Sequence, residues 1–129
     1  MGVIDCDVHP YVNGIGPVLQ HMPAAWRERF ADHDLRLSGF AHNRYINAMF
    51  GRRPDAVPPG GGVPGSDPVF AAQDLLDRWD VELALLLALQ AGSTCAWPDP
   101  DDACVLVGAL NRHFLETWLP ADPRYRYAI

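Results

Sequence analysis

The sequence predicts an α/β fold of parallel strands joined by helical crossovers, and three observations carry that reading. The run "VELALLLAL" at 81–89 is apolar through nearly its whole length, the pattern of a parallel strand covered on both faces. Asp67-Pro68 and Asp99-Pro100 each set a capping side chain before a first-turn proline and open an amphipathic stretch. Short strand-like segments precede and follow these, so strand and helix signals alternate as in βαβ units.

The first strand is Val3 and Ile4 running into Asp5-Cys6-Asp7-Val8-His9, with Pro10 withholding a ladder donor and ending the element. Period-two alternation sets Asp5, Asp7 and His9 on one face, Cys6 and Val8 on the other. After a Gly/Pro turn at residues 13–17, "HMPAAWRERFADH" predicts a helix with Pro23 in its first turn and Trp26 and Phe30 on one stripe. Residues 51–68 hold five glycines and five prolines in eighteen positions, a density no regular element tolerates. What precedes them is too small for its own core, so they read as a loop inside one domain.

Beyond Asp67, the residues Val69, Ala72, Leu76 and Trp79 recur at helical spacing and lead into the strand at 81–89. The next helix, opened by Asp99-Pro100, carries Ala103, Leu106, Val107, Leu110, Phe114 and Trp118 on one stripe, with Asn111, Arg112 and Glu116 off it. Pro120 stops it, "ADPR" turns, and "YRYAI" starts a third strand. Three parallel strands make a poor sheet alone, and an unpaired apolar edge invites association. The expectation is one partial domain over 1–129, completed by further α/β chain, by a partner chain or in a homo-oligomer.

Composition narrows the function. The chain has 129 residues, 49% of them apolar, and a net charge of −6, which belongs with ordinary globular proteins. All ten basic residues are arginine, so P-loop and Schiff-base lysine chemistry is excluded, and no basic stripe serves a nucleic acid. Cys6, Cys95 and Cys104 lack CxxC spacing and read as packing residues in a reducing compartment. No run reaches membrane-spanning length and no signal-peptide core is visible, so the expected setting is cytoplasmic, with no membrane partner.

Asp7 and His9 stand at the carboxyl end of the first strand, where ligands gather in parallel α/β sheets and barrels. Side chains at i and i+2 point the same way and can converge on one cation; carboxylate oxygen with imidazole nitrogen suits Zn²⁺, Mn²⁺ or Fe²⁺. Such an ion serves hydrolysis. The same residue types also occur at strand ends as caps and turn formers. Asp-x-Asp after an apolar strand fits a second chemistry, a haloacid-dehalogenase-type phosphotransferase with Asp5 as nucleophile and Asp7 as acid/base. Against it, no Gly-Thr follows Asp7 and no lysine exists for the phosphoryl group. Asp5 otherwise reads as structural, hydrogen-bonded to a neighbouring strand.

The stretches "VIDCDVHPYV", "MPAAWRERF", "PGSDPVFAAQDLLDRWDVELALLL" and "DDACVLVGALNRHFLETWLPADPRYRYAI" together resemble the N-terminal part of the amidohydrolase-related proteins (amidohydrolase family 2), in the aminocarboxymuconate-semialdehyde decarboxylase-like branch. The resemblance implies a (β/α)8 TIM barrel with a divalent metal at the strand ends, of which this chain supplies about three strands. It implies Asp7 and His9 as metal ligands, where many relatives carry His-x-His or Glu-x-His; the remaining ligands have no counterpart here. It also implies hydrolysis or decarboxylation of a small carboxylated substrate.

Arg52 and Arg53 are weaker candidates for meeting a substrate carboxylate from the loop, and His42 for lining the pocket. His113 and the tryptophans Trp26, Trp79 and Trp118 read as packing, Asp122 with Arg124 as a structural pair, and Asn111 as a backbone partner. The competing expectation is non-enzymatic: an inactive fragment that folds by docking on a partner.

Overall fold

The computed structural model describes residues 2–31, 53–92, 94 and 97–129. The chain is mixed α/β. Strand β1 (Val3–Val8) leads to a one-turn helix α1 (Gly16–Leu19) and to α2 (Ala24–Ala31). After a 3-10 turn at Pro54–Ala56, α3 (Pro68–Ala71) continues directly into π-helical turns over Ala72–Asp77. Asp80, in the left-handed region at φ 52°, turns the chain into β2 (Val81–Leu87). Then follow α4 (Leu89–Gly92), α5 (Pro100–Thr117) and β3 (Tyr125–Ala128).

The caps are those the Asp-Pro pairs predict. Asp67 accepts from the N–H groups of Val69 and Phe70, and Asp99 from those of Asp101 and Asp102, while each proline fills a position whose N–H has no helical partner. The stripe over 68–79 departs from expectation. Ala72 and Leu76 are buried, but Val69 and Trp79 are exposed, Trp79 at 56%. The π-helical turns account for Trp79: i→i+5 bonding takes more than 3.6 residues per turn and rotates it off the buried face, whereas Val69 lies ahead of them in the first turn of α3.

The strands form one parallel sheet in the order β1-β2-β3. Ala84 and Leu86 are fully buried and pair with Tyr125 and Tyr127, which pack on Trp118 and Phe114 at the α5 end. The Tyr125 hydroxyl donates to the Pro68 carbonyl at 2.9 Å, so the start of α3 lies on the same side as α5. Among the described residues, α3 and α5 therefore cover one face. On the other, Leu83, Leu85 and Leu87 are only half-buried and Ile4, opposite Leu83, is 60% exposed. The expected burial of 81–89 on both faces holds for one face among the described residues. No described helix is long and apolar enough to cross a membrane.

Candidate functional site

Val8 pairs with Leu86, which brings His9, one residue past β1, level with Leu87 at the end of β2. His9 Nδ1 lies 3.0 Å from the Leu87 carbonyl oxygen. A carbonyl only accepts, so Nδ1 carries the ring proton, and a neutral ring presents Nε2 as a lone pair. That Nε2 stands 3.3 Å from Asp7 Oδ1, on a carboxylate 77% exposed to solvent.

A neutral Nε2 and a carboxylate facing each other at this distance leave room for a cation to bind between them, with water screening the pair in its absence. A proton on Nε2 is one such cation and a metal ion the other. Ligand bonds of about 2.0–2.2 Å meeting at a tetrahedral angle set nitrogen and oxygen about 3.4 Å apart, so the observed spacing fits a chelate. A backbone carbonyl on the opposite ring nitrogen is the usual setting of a metal-binding histidine. The pair supplies two donors; no cluster of three or more histidine, cysteine or acidic side chains poised for a metal occurs among the described residues.

Asp5 does not share this arrangement. It pairs with Ala84 while Val8 pairs with Leu86, so three residues of β1 span two of β2 and an extra residue bulges between them. Opposed residues of parallel strands share a face, and a one-residue slip reverses it. Asp5 is thereby set on the side of Ala84 and Val8, against the strict alternation read from the sequence. Its Oδ1 accepts the Asp7 N–H at 3.0 Å, bracing the bulge rather than a neighbouring strand.

The Gly/Pro-rich loop lies against the same strand end. Tyr11 N–H donates to the Gly65 carbonyl at 2.7 Å, and Gly65 sits at φ +81°, where an added Cβ would approach the His9 carbonyl oxygen to 3.1 Å. A cleft of about 200 Å³ opens here, bounded by Val8, His9, Gly65, Phe70 and Asp74. Arg53 is exposed and forked onto Asp55 at 2.9 and 2.6 Å, with Asp74 3.7 Å away; this pairing raises the Arg53 pKa and lowers that of Asp55. Arg53 thus has carboxylate partners within its own chain. His42 and Arg52 lie outside the described residues.

A larger cleft of about 500 Å³ runs between α4, α5 and β3, past Leu87, Val107, Tyr127 and Ile129. No described carboxylate or imidazole lines it, so it offers no chemistry of the kind at Asp7 and His9. Burial pushes the Tyr127 phenol up to about 12, and its hydroxyl donates to Asn111 Oδ1 at 2.7 Å, a side-chain partner where a backbone one was expected. Cys6 and Cys104 are exposed, contrary to their reading as packing residues, and Cys95 lies outside the described residues. Trp118 is buried and Trp26 packs at the core margin. His113 is buried against Phe114 and His21; burial, then the neighbouring imidazole, lowers its pKa. Arg124 grips Asp122 and holds its carboxyl below the usual range.

Two contributors were not foreseen. The Leu87 carbonyl is a backbone group, which no residue-type pattern reveals; only the β1–β2 register identifies it. Gln90, a polar side chain just after an apolar run, was visible as a break in composition. Comparison with protein-family models finds none that matches this chain, and comparison with curated proteins finds no match.

Proposed function

We propose that this chain contributes the first strands of a metal-dependent (β/α)8 barrel of the amidohydrolase type, with Asp7 and His9 as two ligands of a divalent cation, zinc first and manganese or iron as alternatives. The observation that carries the reading is the ring state of His9. Its Nδ1 is spent on Leu87, leaving Nε2 and the Asp7 carboxylate facing each other at 3.3 Å, a pair spaced to accept a cation. The sheet supports the barrel: sequential parallel strands with α3 and α5 on one face match the winding of a barrel, whereas a doubly wound sheet carries helices on both faces. The half-buried leucines of β2 would face the barrel interior.

When bound, such an ion supplies Lewis-acid chemistry at neutral pH. The chain's own residues do the orienting. Leu87 fixes the His9 ring, Asp5 holds the Asp7 backbone, and the Gly65 loop walls one side of the site. On the family resemblance the substrate is a small carboxylated molecule, hydrolysed or decarboxylated. Cobalt titration followed by visible absorption tests the ligand pair: wild-type protein gives a saturable one-to-one signal that Asp7→Ala with His9→Ala abolishes. An equal signal in the double variant refutes the assignment. With two ligands brought together among the described residues, binding by this chain alone is expected to be weak.

A second reading draws on one observation: β1 and β3 each have an outer edge unpaired among the described residues, and Val3 and Ile4 on β1 are exposed. The same surfaces suit an inactive segment that needs a partner chain to complete its sheet.

A further inference from the structure

The segment that carries the chain away from His9 is held at successive positions. The Pro10 side chain is fully buried, and the Tyr11 N–H is bonded to Gly65. Val12, itself in the core, donates its N–H to Gln90 Oε1 at 2.6 Å and accepts at its carbonyl from Gln90 Nε2 at 3.2 Å. Gln90 lies in α4, three residues beyond Leu87, and is 3% exposed. Its carboxamide offers one acceptor and one donor to a single residue's backbone, as a neighbouring strand would. Strand pairing between β1 and β2 has already ended at Val8 and Leu86, so this side chain extends the contact past the last rung.

The spacing gives the clamp a consequence for chemistry. His9 is tied to Leu87 and Val12 to Gln90, so two stretches are joined at both ends of a three-residue step. The rung at Val8 and Leu86 holds the chain before His9, and the Gln90 clamp on Val12, together with the Tyr11 bond to Gly65, holds it after. An aliphatic side chain would fill the same volume without holding the Val12 backbone, and would leave that buried N–H and carbonyl without these partners.

We propose that Gln90 is a positioning residue for His9: by clamping Val12 it keeps Nδ1 on the Leu87 carbonyl and Nε2 directed at Asp7. Its purpose rests on the metal-site reading, whereas the geometry it enforces is a property of the metal-free chain. That separation makes both testable.

The experiment is ¹⁵N NMR of the His9 imidazole in protein stripped with a chelator, in wild type, Gln90→Met, Gln90→Glu and Tyr125→Phe. Wild type is expected in the Nδ1–H tautomer, the reverse of the preference of free histidine. Gln90→Met, similar in volume but unable to bond Val12, shifts His9 toward the Nε2–H form. Gln90→Glu, which keeps the acceptor and loses the donor, gives an intermediate ratio. Tyr125→Phe deletes a hydrogen bond away from the site, lowering the thermal midpoint without moving the tautomer. A wild-type tautomer ratio in folded Gln90→Met overturns the proposal; should that variant fail to fold, the same ratio in Gln90→Glu does so. Cobalt affinity measured in parallel is expected to fall about tenfold in Gln90→Met. A cobalt signal unchanged by Asp7→Ala with His9→Ala refutes the metal reading, while the tautomer result still decides the role of Gln90.

Discussion

A single backbone acceptor sets the chemistry at His9. Had Nδ1 faced solvent, the ring could have donated from Nε2 to Asp7 and formed an ordinary neutral hydrogen bond. Because the Leu87 carbonyl accepts the Nδ1 hydrogen bond, a neutral ring turns a lone pair toward Asp7, and this is the arrangement on which the proposed cation site rests. The Asp7 and His9 letters were legible in the sequence, but the carbonyl that gives them meaning was not, since it depends on register. Gly65 is as exacting. At φ +81° and with the His9 carbonyl 3.1 Å from the position of a Cβ, Gly65→Ala is expected to cost about 1–2 kcal/mol, measured by denaturant unfolding. His113 gives a pH dependence whose sign follows from its burial. The folded state disfavours the imidazolium, so the unfolded chain binds the extra proton below its ordinary pKa near 6.5, and stability falls as pH drops through that range. The slope from this one group cannot exceed about 1.4 kcal/mol per pH unit. Thermal midpoints between pH 7.5 and 5 should fall in wild type and flatten in His113→Gln; parallel curves would assign the loss elsewhere.

At the scale of elements, local chemistry starts the helices and register arranges the strands. Asp99→Ala removes the acceptor for two N–H groups at the start of α5 and is expected to cost about 1 kcal/mol, seen as a lower unfolding midpoint. Asp67→Ala should behave alike at α3. These helix starts were legible because capping is a short-range bargain between adjacent residues. The extension of the 68–79 stripe to Trp79 was misjudged because it assumed 3.6 residues per turn, and the π-helical turns at Ala72–Asp77 depend on packing beneath β2. The face of Asp5 was misjudged for a related reason: a bulge adds one residue, and alternation counted from the amino end cannot see it.

At the scale of the molecule, what stands out is a sheet buried on one side. The core gathers between the sheet and the helices that cover Ala84, Leu86, Tyr125 and Tyr127, while Leu83, Leu85 and Leu87 hold the less covered face. The parallel sense of the strands was legible, because apolar runs separated by capped helices leave few topologies, whereas their order in the sheet came from the pairing itself. With its sheet edges open, the chain is expected to associate or to pair with further α/β structure; a sedimentation profile showing a compact monomer, stable across a hundredfold range of concentration, would count against this. The central claim, that Asp7 and His9 hold a divalent cation, is tested most directly by titrating ¹⁵N-labelled protein with Mn²⁺ and following paramagnetic broadening. The account predicts that the amide signals of Asp7, Val8, His9 and Leu87 broaden first and saturably, and that Asp7→Ala with His9→Ala removes the effect. Broadening centred elsewhere, or unchanged in the double variant, would contradict it.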